Sequence, residues 1–461
     1  MRAFLRTIQD ENTRNGLRYS TWDGILWAVM YGLAESYVVP FALLFTDSAF
    51  QLSLIQGSVF LATCAGQLWG ARLVAAMPRR KPLAVWMLRM QASCWLLIFA
   101  VSVWTGNAAG VLVFYFLSIL APNIGGPGWT SWMYDLIPAA VRGQYWGERN
   151  KWVGYAQLVS MAAAGVALHL GKRHELAVFG ILFALGFLAR LLSSVAMTKQ
   201  YEPPQGQRHP DAERITLAAF ISDLTRSNFG RFALFNFCMA FAINIMEPMI
   251  NVYALQALRL DYMRFSMLST IRILISFSAM AYWGPLSDRY GSYRILKVTT
   301  RALPLIALCW LVFRNFYVLL LLQGFTGFVL AGMNLAILNY QFDAMPRHQI
   351  AKISAYFNTL MNLCAFGGTL LGGYLTNVTP HLPLNFLLAG HYEVIFLLSA
   401  LIRLATLLAF RKRFQEVRAV EPSPRAHYFY IYKPVTNVIN RFQLLTEWFT
   451  NSANHDEEER R

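Results

Sequence analysis

"GLAESYVVPFALLF", from Gly32 to Phe45, contains the pattern on which most of this chain is built. It closes an apolar run that opens near residue 22, and about twenty apolar residues can cross the roughly 30 Å hydrocarbon core of a bilayer. Glu35 places a carboxylate in this run about ten residues, or about 15 Å, from its outer end. An ionised side chain at that depth costs about 2.5–3.5 kcal/mol or more. The stretch therefore predicts a membrane-spanning helix whose carboxylate has a function.

Apolar runs of this length recur along the whole chain. Of 461 residues, 56% are hydrophobic and only 14% are charged, which is little charge for a soluble protein of this length. We place about twelve runs, near residues 22–45, 52–76, 83–104, 109–134, 153–170, 176–197, 231–256, 263–285, 296–313, 316–340, 353–376 and 392–410. The sequence predicts an all-α membrane protein with twelve transmembrane helices.

Basic residues are concentrated in the loops on one side of the predicted membrane. The formal net charge is +16, which in a soluble protein would suggest nucleic acid as a partner. If the N-terminus lies inside, the inner loops carry Arg79, Arg80, Lys81, Arg142, Arg149, Lys151, Lys199, Arg208, Arg214 and Arg226. This asymmetry follows the positive-inside rule and predicts that both termini are cytoplasmic. We expect a multi-pass protein of the cell inner (cytoplasmic) membrane, with anionic lipids and not nucleic acid as neighbours.

The residue types that carry enzymatic or metal chemistry are not arranged for it. All five cysteines lie in predicted spans, which argues against a disulfide framework or a metal cluster. The sequence shows no nucleophile–base pairing, metal-ligand spacing or phosphate-binding loop in a suitable context. It therefore predicts a protein that is not an enzyme and uses neither a metal nor a cofactor.

A polar segment at residues 199–230, containing "YEPPQGQRHPDAER", divides the spans six and six. The two halves repeat each other at offsets of 208 to 214 residues, which match Glu35 with Glu247, Arg89 with Arg301, Asp135 with Asp343, Arg190 with Arg403, and "WGARLVAAMPRR" with "WGPLSDRYGSYR". Both halves enter the membrane from the same side, so we interpret them as parallel repeats. We predict six-helix bundles at 1–198 and 231–410, a cytoplasmic linker at 199–230 and a cytoplasmic tail at 411–461.

The segment "WGPLSDRYGSYRIL", Trp283 to Leu296, resembles the signature loop of the major facilitator superfamily. Its matching positions are Gly284, Leu286, Asp288, Arg289, Gly291 and Arg294. "SWMYDLIPAAVRGQYWGERN", Ser131 to Asn150, resembles a segment of certain bacterial members. The resemblance implies the six-plus-six topology, a central cavity lined by the first and seventh helices, and an inner gate that includes the signature loop. The fifth span lacks the Gly-Pro pattern of drug/proton antiporters, which disfavours multidrug efflux.

Three charged residues form the candidate substrate and proton site. Glu247 and Arg272 lie at similar depths in neighbouring spans, so we expect them to form an ion pair. The residue that matches Arg272 in the first half is Ser58, since 272 − 214 = 58. Glu35 therefore has no symmetric basic partner, and burial without a counter-charge favours its protonated form. Alternatively, the two glutamates only form hydrogen bonds between helices.

Asparagines extend this candidate site along the seventh span. Asn244, Glu247 and Asn251 are spaced at i, i+3 and i+7, which places them on one helix face. We interpret Asn244 and Asn251 as binding residues, with interhelical hydrogen bonding as the alternative for each.

A second set of candidates lies nearer the cytoplasm and is interpreted as an inner gate. The set comprises Gly284, Asp288, Arg289, Gly291, Asp135, Arg142, Asp343, Arg89 and Arg301. An Asp–Arg pair at this level would hold two helices together, and long basic side chains can reach the interface from one or two turns inside. Alternatively, these charges only anchor the helices in the membrane.

The tail after Phe410 has its own pattern. Val435, Val438, Ile439, Phe442, Leu445 and Phe449 are spaced to share one helix face, which predicts an amphipathic helix on the inner leaflet.

The sequence as a whole predicts a monomeric secondary transporter that moves a small polar or charged solute by alternating access, coupled to protons. The alternative is a non-transporting membrane scaffold or sensor that acts through this tail.

Overall fold

The structure is a computed structural model that describes residues 10–77, 79–138, 141–204, 216–345, 350–378 and 391–417. Twelve long helices occupy most of them. They are α1 (Glu11–Leu33), α2 (Ala49–Ala76), α3 (Lys81–Thr105), α4 (Ala109–Leu136), α5 (Arg142–Leu170), α6 (Glu175–Lys199), α7 (Asn228–Val252), α8 (Tyr262–Tyr290), α9 (Ser292–Val312), α10 (Phe316–Ala344), α11 (Ile350–Val378) and α12 (His391–Ala409). A short helix, Leu217–Asp223, precedes α7. The predicted amphipathic helix of the tail lies outside the described residues.

Most of these helices can cross a membrane. Ten are long and apolar enough in the described part of the chain, and α8 makes an eleventh if its two parts, which meet at a 45° bend, form one span. The helix α11 is 29 residues long but less apolar, since it carries several asparagines and glycines. The twelve helices thus follow the order of the twelve predicted runs.

The helix α1 begins earlier than the sequence predicted. It starts at Glu11 and not near residue 22, because the carboxylate of Asp10 accepts a hydrogen bond from the Thr13 amide (2.9 Å) and caps the helix. Asp23 therefore lies near the middle of α1, and only 5% of this residue is exposed.

The first span is broken at Glu35. The helix α1 ends at Leu33, and a 3₁₀ turn (Glu35–Tyr37) and a short helix (Val38–Ala42) continue the span. Pro40 has no N–H to donate to the carbonyl four residues earlier, which weakens the helix at this point. The carboxylate of Glu35 is therefore carried by irregular backbone within the membrane.

The two halves pack in the same way. In the first half α1 packs against α5 and α6, α2 against α4, and α3 against α4 and α6. In the second half α7 packs against α11 and α12, α8 against α10, and α9 against α10 and α12. The repeat that the sequence shows is therefore also a repeat of helix packing.

The halves meet mainly along two helix pairs, α2 with α11 and α5 with α8, with a smaller contact between α2 and α7. We call the side where α6 ends and α7 begins the linker side, and the opposite side the far side. Several contacts between the halves lie towards the far side: the amide of Gln56 donates to the Pro248 carbonyl (3.1 Å), and the amide of Asn377 donates to the Ser48 hydroxyl (3.1 Å). The interface is tight there, since a Cβ at Gly373 would lie 2.9 Å from the Ala49 carbonyl oxygen.

The signature glycine Gly291 separates α8 from α9. Its φ of 86° lies in the region that favours glycine, and α8 ends at the preceding residue while α9 begins at the next. A helix-ending glycine at this position allows the chain to reverse direction over one residue.

The chain segments that follow α6 and α12 dock in matching ways on the linker side. The carboxylate of Glu202 accepts a hydrogen bond from the Arg80 amide (2.8 Å) at the start of α3, and the carboxylate of Glu416 accepts one from the Tyr293 amide (2.9 Å) at the start of α9. Since 416 − 202 = 214 and 293 − 80 = 213, these contacts obey the sequence repeat. The docked segment after α12 also places Phe414 in the core, with 4% of it exposed.

Candidate functional site

A cavity of about 380 Å³ lies in the second half, between α7, α8, α10 and α11. Its polar lining residues are Asn236, Asn244, Glu247, Arg272 and Asn334, and the rest of the wall is apolar. The amides of Asn236 and Asn244 each donate to a backbone carbonyl of their own helix, at 2.8 Å. Their side-chain oxygens are thus the atoms that can accept hydrogen bonds from a ligand.

Glu247 and Arg272 form an ion pair in the cavity wall. Nη1 of Arg272 donates to Oε2 of Glu247 at 3.0 Å, as their depths predicted. The two side chains remain 25% and 36% exposed, respectively. A solute in the cavity can therefore approach both a carboxylate and a guanidinium.

Asn251 lies away from this cavity. Its amide donates to the side-chain oxygen of Gln56 (3.3 Å), across the contact between α7 and α2. Since the two halves meet at this point, the structure places Asn251 at their interface, where it bonds to a side chain of the first half.

Glu35 lies in the first half, on the broken part of the first span. Its carboxylate makes no hydrogen bond and no close ion pair with any described residue, but it interacts electrostatically with Arg190, Tyr31 and Tyr115. As expected, Glu35 has no symmetric basic partner, because Ser58 stands at the position that matches Arg272; the basic group that interacts with Glu35 is Arg190. The basic group comes from α6, and not from the position equivalent to Arg272.

Arg190 belongs to a buried polar cluster that the sequence analysis did not identify. Its guanidinium donates to the side chains of Gln91 (2.6 Å) and Ser193 (3.0 Å) and lies 3.8 Å from the carboxylate of Asp23. The hydroxyl of Ser193 in turn donates to Asp23 at 2.6 Å. Only 5% of Arg190 is exposed. The cluster holds the guanidinium inside the bundle.

Arg403 occupies the matching position in the second half and is also buried, with 3% of it exposed. It donates to the Leu303 carbonyl at 2.9 Å, and Leu303 matches Gln91 at an offset of 212. Arg403 also interacts electrostatically with Glu247. Each half thus combines an arginine of its sixth helix with a glutamate of its first.

Near the linker side, the predicted gate residue Asp135 forms an ion pair with Arg80. Nη1 of Arg80 lies 2.6 Å from the Asp135 carboxylate, and Nε lies 3.5 Å from that of Glu202. Only 3% of Arg80 is exposed. Asp135 thus connects the end of α4 to the start of α3 and the linker. The pairing of an aspartate with an arginine was expected, but Arg80 was not among the candidates.

The other predicted gate residues lie in several places. Asp288 and Arg289 are exposed in the last turn of α8, and Asp343 is partly exposed at the end of α10.

Arg89 and Arg301 are exposed on α3 and α9, where Arg89 lies over the ring of Trp86 at 5.7 Å. Arg142 begins α5, and its side chain lies outside what the structure describes. Gly284 lies inside α8, with open space where a Cβ would point. The gating role of this set stays a prediction.

One signal in the sequence could have identified Arg80. It matches Arg294, the last position of the signature loop, at an offset of 214. Asp23 stands at the very start of the predicted run, which opens near residue 22, so its carboxylate was expected at the membrane interface and gave no signal of burial.

Comparison with known proteins supports the family. The sequence profile of the Major Facilitator Superfamily matches residues 24–300 and 232–447, two overlapping stretches that cover most of the chain. A Caenorhabditis elegans protein named as a transporter, svop-1, is 29% identical over 157 residues. That alignment covers 32% of this chain and only 29% of the relative.

Solved structures share the fold. A bacterial homolog of the human lysosomal transporter Spinster, in an inward-facing and unoccupied conformation, superposes with a TM-score of 0.67 at 13% identity and covers 90% of this chain and 100% of that chain. The D-xylose-proton symporter gives a TM-score of 0.65 at 12% identity, over 89% of this chain and all of its own. The nucleoside transporter NupG gives 0.62 at 12% identity, over 88% of this chain and all of its own. The chain therefore belongs to the major facilitator superfamily and is a multi-pass membrane transporter. The members of this superfamily are transporters and not enzymes.

Proposed function

We propose that the protein is a secondary transporter that carries a small polar or charged solute through the cavity beside Glu247 and Arg272, with protons as the coupling ion. The observation that carries this proposal is the 3.0 Å ion pair exposed in the wall of a cavity of about 380 Å³. An ion pair inside a membrane bundle is rarely retained for stability alone, because desolvation offsets most of its attraction. Retaining both charges inside a membrane bundle favours a role in binding.

The lining of the cavity supports a polar solute. The side-chain oxygens of Asn236 and Asn244 can accept hydrogen bonds, Arg272 can bind an anionic group and Glu247 a cationic one. Apolar side chains such as Met239 and Met333 complete the wall. A solute that combines a charged or hydrogen-bonding group with a compact apolar part fits this arrangement.

Glu35 is the proposed proton carrier. Its carboxylate has no hydrogen bond to any described residue, so a proton can be gained or lost without breaking one. Tyr31 lies within electrostatic range of both Glu35 and Arg272, so the two charged groups are not far apart. A proton on Glu35 would change the field at Arg272 and, through it, the affinity for the solute.

For alternating access, we propose that the bundles of residues 1–198 and 231–410 rock against each other. The contacts of Gln56 with Pro248 and of Asn377 with Ser48 support a state closed on the far side. In this proposal the linker side is the cytoplasmic side, in agreement with the distribution of basic loop residues. The predicted gate residues, with Arg80 added, would close the linker side in the opposite state.

The test is a thermal-shift screen of the purified full-length protein against a library of metabolites, at about pH 5.5 and about pH 7.5, since a ligand of the native state raises its stability by RT ln(1 + [L]/Kd). We expect a polar hit whose shift depends on pH in the wild type and no longer does so in Glu35→Gln. Glu11→Gln, an exposed carboxylate on the same helix, is the matched control and should behave as the wild type does.

Two outcomes would count against the proposal. A hit that is independent of pH, or equally dependent on pH in Glu35→Gln, would remove the proton role of Glu35. A hit that survives Arg272→Gln unchanged would move the binding site away from this cavity. If no metabolite shifts stability at either pH, the alternative of a scaffold or sensor acting through the tail gains support.

A further inference from the structure

A second, smaller cavity opens at the outer surface of the second half. It has a volume of about 210 Å³ and lies between the start of α9 and the end of α12, on the linker side. Leu296, Leu407 and Phe414 form its apolar floor, while Arg301 and Arg411 carry the positive charge at its margin. This outer cleft is separate from the cavity that contains Glu247 and Arg272, because the two share no lining residue.

The outer cleft faces the surroundings of the bundle. Along α9, Arg301 starts a stripe that continues with Leu305 and Val312, which are 62% and 68% exposed. Along α12, Arg411 ends a similar stripe that contains Leu401 and Leu408, which are 54% and 64% exposed. Exposed leucine and valine at helical spacing on membrane-spanning helices are the surface that contacts lipid. Each stripe therefore ends in a basic residue at the outer cleft.

The position of Arg301 requires an explanation. Nine residues separate it from Ser292, the first residue of α9, so it lies about 13 Å along the helix from the linker side. A guanidinium at the lipid-facing surface at this depth is costly unless it reaches the interface or meets an anion. Side chains on a helix point towards its N-terminus, which directs Arg301 towards the linker side and the outer cleft.

Among the residues that the structure describes, neither arginine has a neutralising partner. The guanidinium groups of Arg301 and Arg411 make no hydrogen bond and no ion pair within the described residues. Lys297, which lies over the ring of Tyr293 at 4.8 Å, adds a third cationic side chain to the lining. Arg301 and Arg411 are like charges at one small cleft, and they repel each other unless an anion lies between them.

We propose that the outer cleft binds an anionic phospholipid. Its phosphate would lie between Arg301 and Arg411, and its acyl chains would follow the leucine stripes of α9 and α12. An amphipathic lipid fits better than a free anion because the floor of the cleft is apolar and continues directly into the lipid-facing surface. This assignment replaces the gating role predicted for Arg301, because its exposed side chain lines the outer cleft. The site does not depend on the proposed solute or on proton coupling.

The experiment uses native mass spectrometry of the full-length protein in detergent, titrated with phosphatidylglycerol or phosphatidylcholine. We expect the wild type to retain phosphatidylglycerol in preference, and the double variant Arg301→Gln/Arg411→Gln to bind it about thirtyfold more weakly, from the usual contribution of a basic residue at an anionic membrane surface. Arg301→Lys keeps the charge and should keep most of the binding.

The matched control is Arg89→Gln. Arg89 is the counterpart of Arg301 in the first half, is equally exposed and lies at a comparable depth. It should leave the affinity for phosphatidylglycerol unchanged. The proposal is overturned if the double variant binds as the wild type does, if Arg89→Gln weakens binding as much, or if phosphatidylcholine competes equally. Complete displacement of the lipid by inorganic phosphate would show a site for small anions and would also overturn it.

Discussion

Glu35 and Glu247 are counterparts in the two halves, 212 residues apart, yet within the described part of the chain only Glu247 is held in an ion pair. The difference comes from the second helix of each half. At the position of Arg272, α2 carries Ser58, whose hydroxyl donates to the Ile55 carbonyl of its own helix (2.7 Å). The repeat therefore conserves the two carboxylates but gives them different electrostatic surroundings, which is the basis for assigning them different roles.

This asymmetry predicts opposite effects of the same substitution. Glu247→Gln should lower the free energy of unfolding by about 1 kcal/mol, because it leaves Arg272 without its counter-charge in a half-exposed wall. Glu35→Gln should leave stability unchanged or raise it, because a desolvated carboxyl without a hydrogen bond is replaced by a neutral group of the same shape. Thermal unfolding of both variants in one detergent measures the difference. Greater destabilisation by Glu35→Gln would show that Glu35 has a structural partner.

The second prediction concerns the buried guanidinium on the linker side. Arg80→Gln should lower the free energy of unfolding by about 3 kcal/mol, because it leaves Asp135 and Glu202 without their shared partner. The adjacent Arg79 is exposed and serves as the matched control, since Arg79→Gln should change stability by no more than about 0.5 kcal/mol. The measurement is the unfolding temperature of each variant. Equal effects at the two positions would mean that the ion pairs of Arg80 contribute nothing specific.

The sequence predicted the helix order, the six-plus-six repeat and the pairing of Glu247 with Arg272. These follow from apolar run length and from depth along neighbouring spans, which are local quantities. The partner of Asp135 was not predictable in this way, because Arg80 is 55 residues away along the chain. Arg80 is also partly covered by Glu202, which lies in the segment after α6. The burial of Arg190 likewise depends on Asp23 and Gln91, which packing brings together from three helices. Hydropathy reports the cost of a buried charge but not the partner that compensates for it.

The third prediction tests the tight interface between the halves. Gly373→Ala should impair closure on the far side, because the new methyl group would meet the Ser53 side chain and lie 2.9 Å from the Ala49 carbonyl oxygen. The matched control is Gly126→Ala in α4, where a Cβ meets nothing within 4 Å beyond its chain neighbours, so alanine leaves the packing between helices unchanged. Crosslinking between cysteines introduced at Ser48 and Asn377 measures closure, since their side chains lie 3.1 Å apart.

Unchanged crosslinking in Gly373→Ala would show that the halves can separate slightly without losing the far-side contact. Reduced crosslinking in Gly126→Ala would assign the effect to the stability of the bundle in general. Only a loss confined to Gly373→Ala supports the close approach of α2 and α11 as the feature that limits closure.

The fourth prediction concerns the docked segments after α6 and α12. Glu416→Ala should destabilise the first turn of α9 by about 1 kcal/mol. The substitution removes the carboxylate that accepts a hydrogen bond from the Tyr293 amide at the N-terminus of this helix. Glu202→Ala should do more harm than Glu416→Ala, since Glu202 also pairs with Arg80. Hydrogen exchange of the amides at the starts of α3 and α9 measures each effect locally. If Glu416→Ala leaves exchange at the start of α9 unchanged, the cap is not what holds the segment in place, and the aromatic packing of Phe414 against Tyr293 and Phe232 must do so.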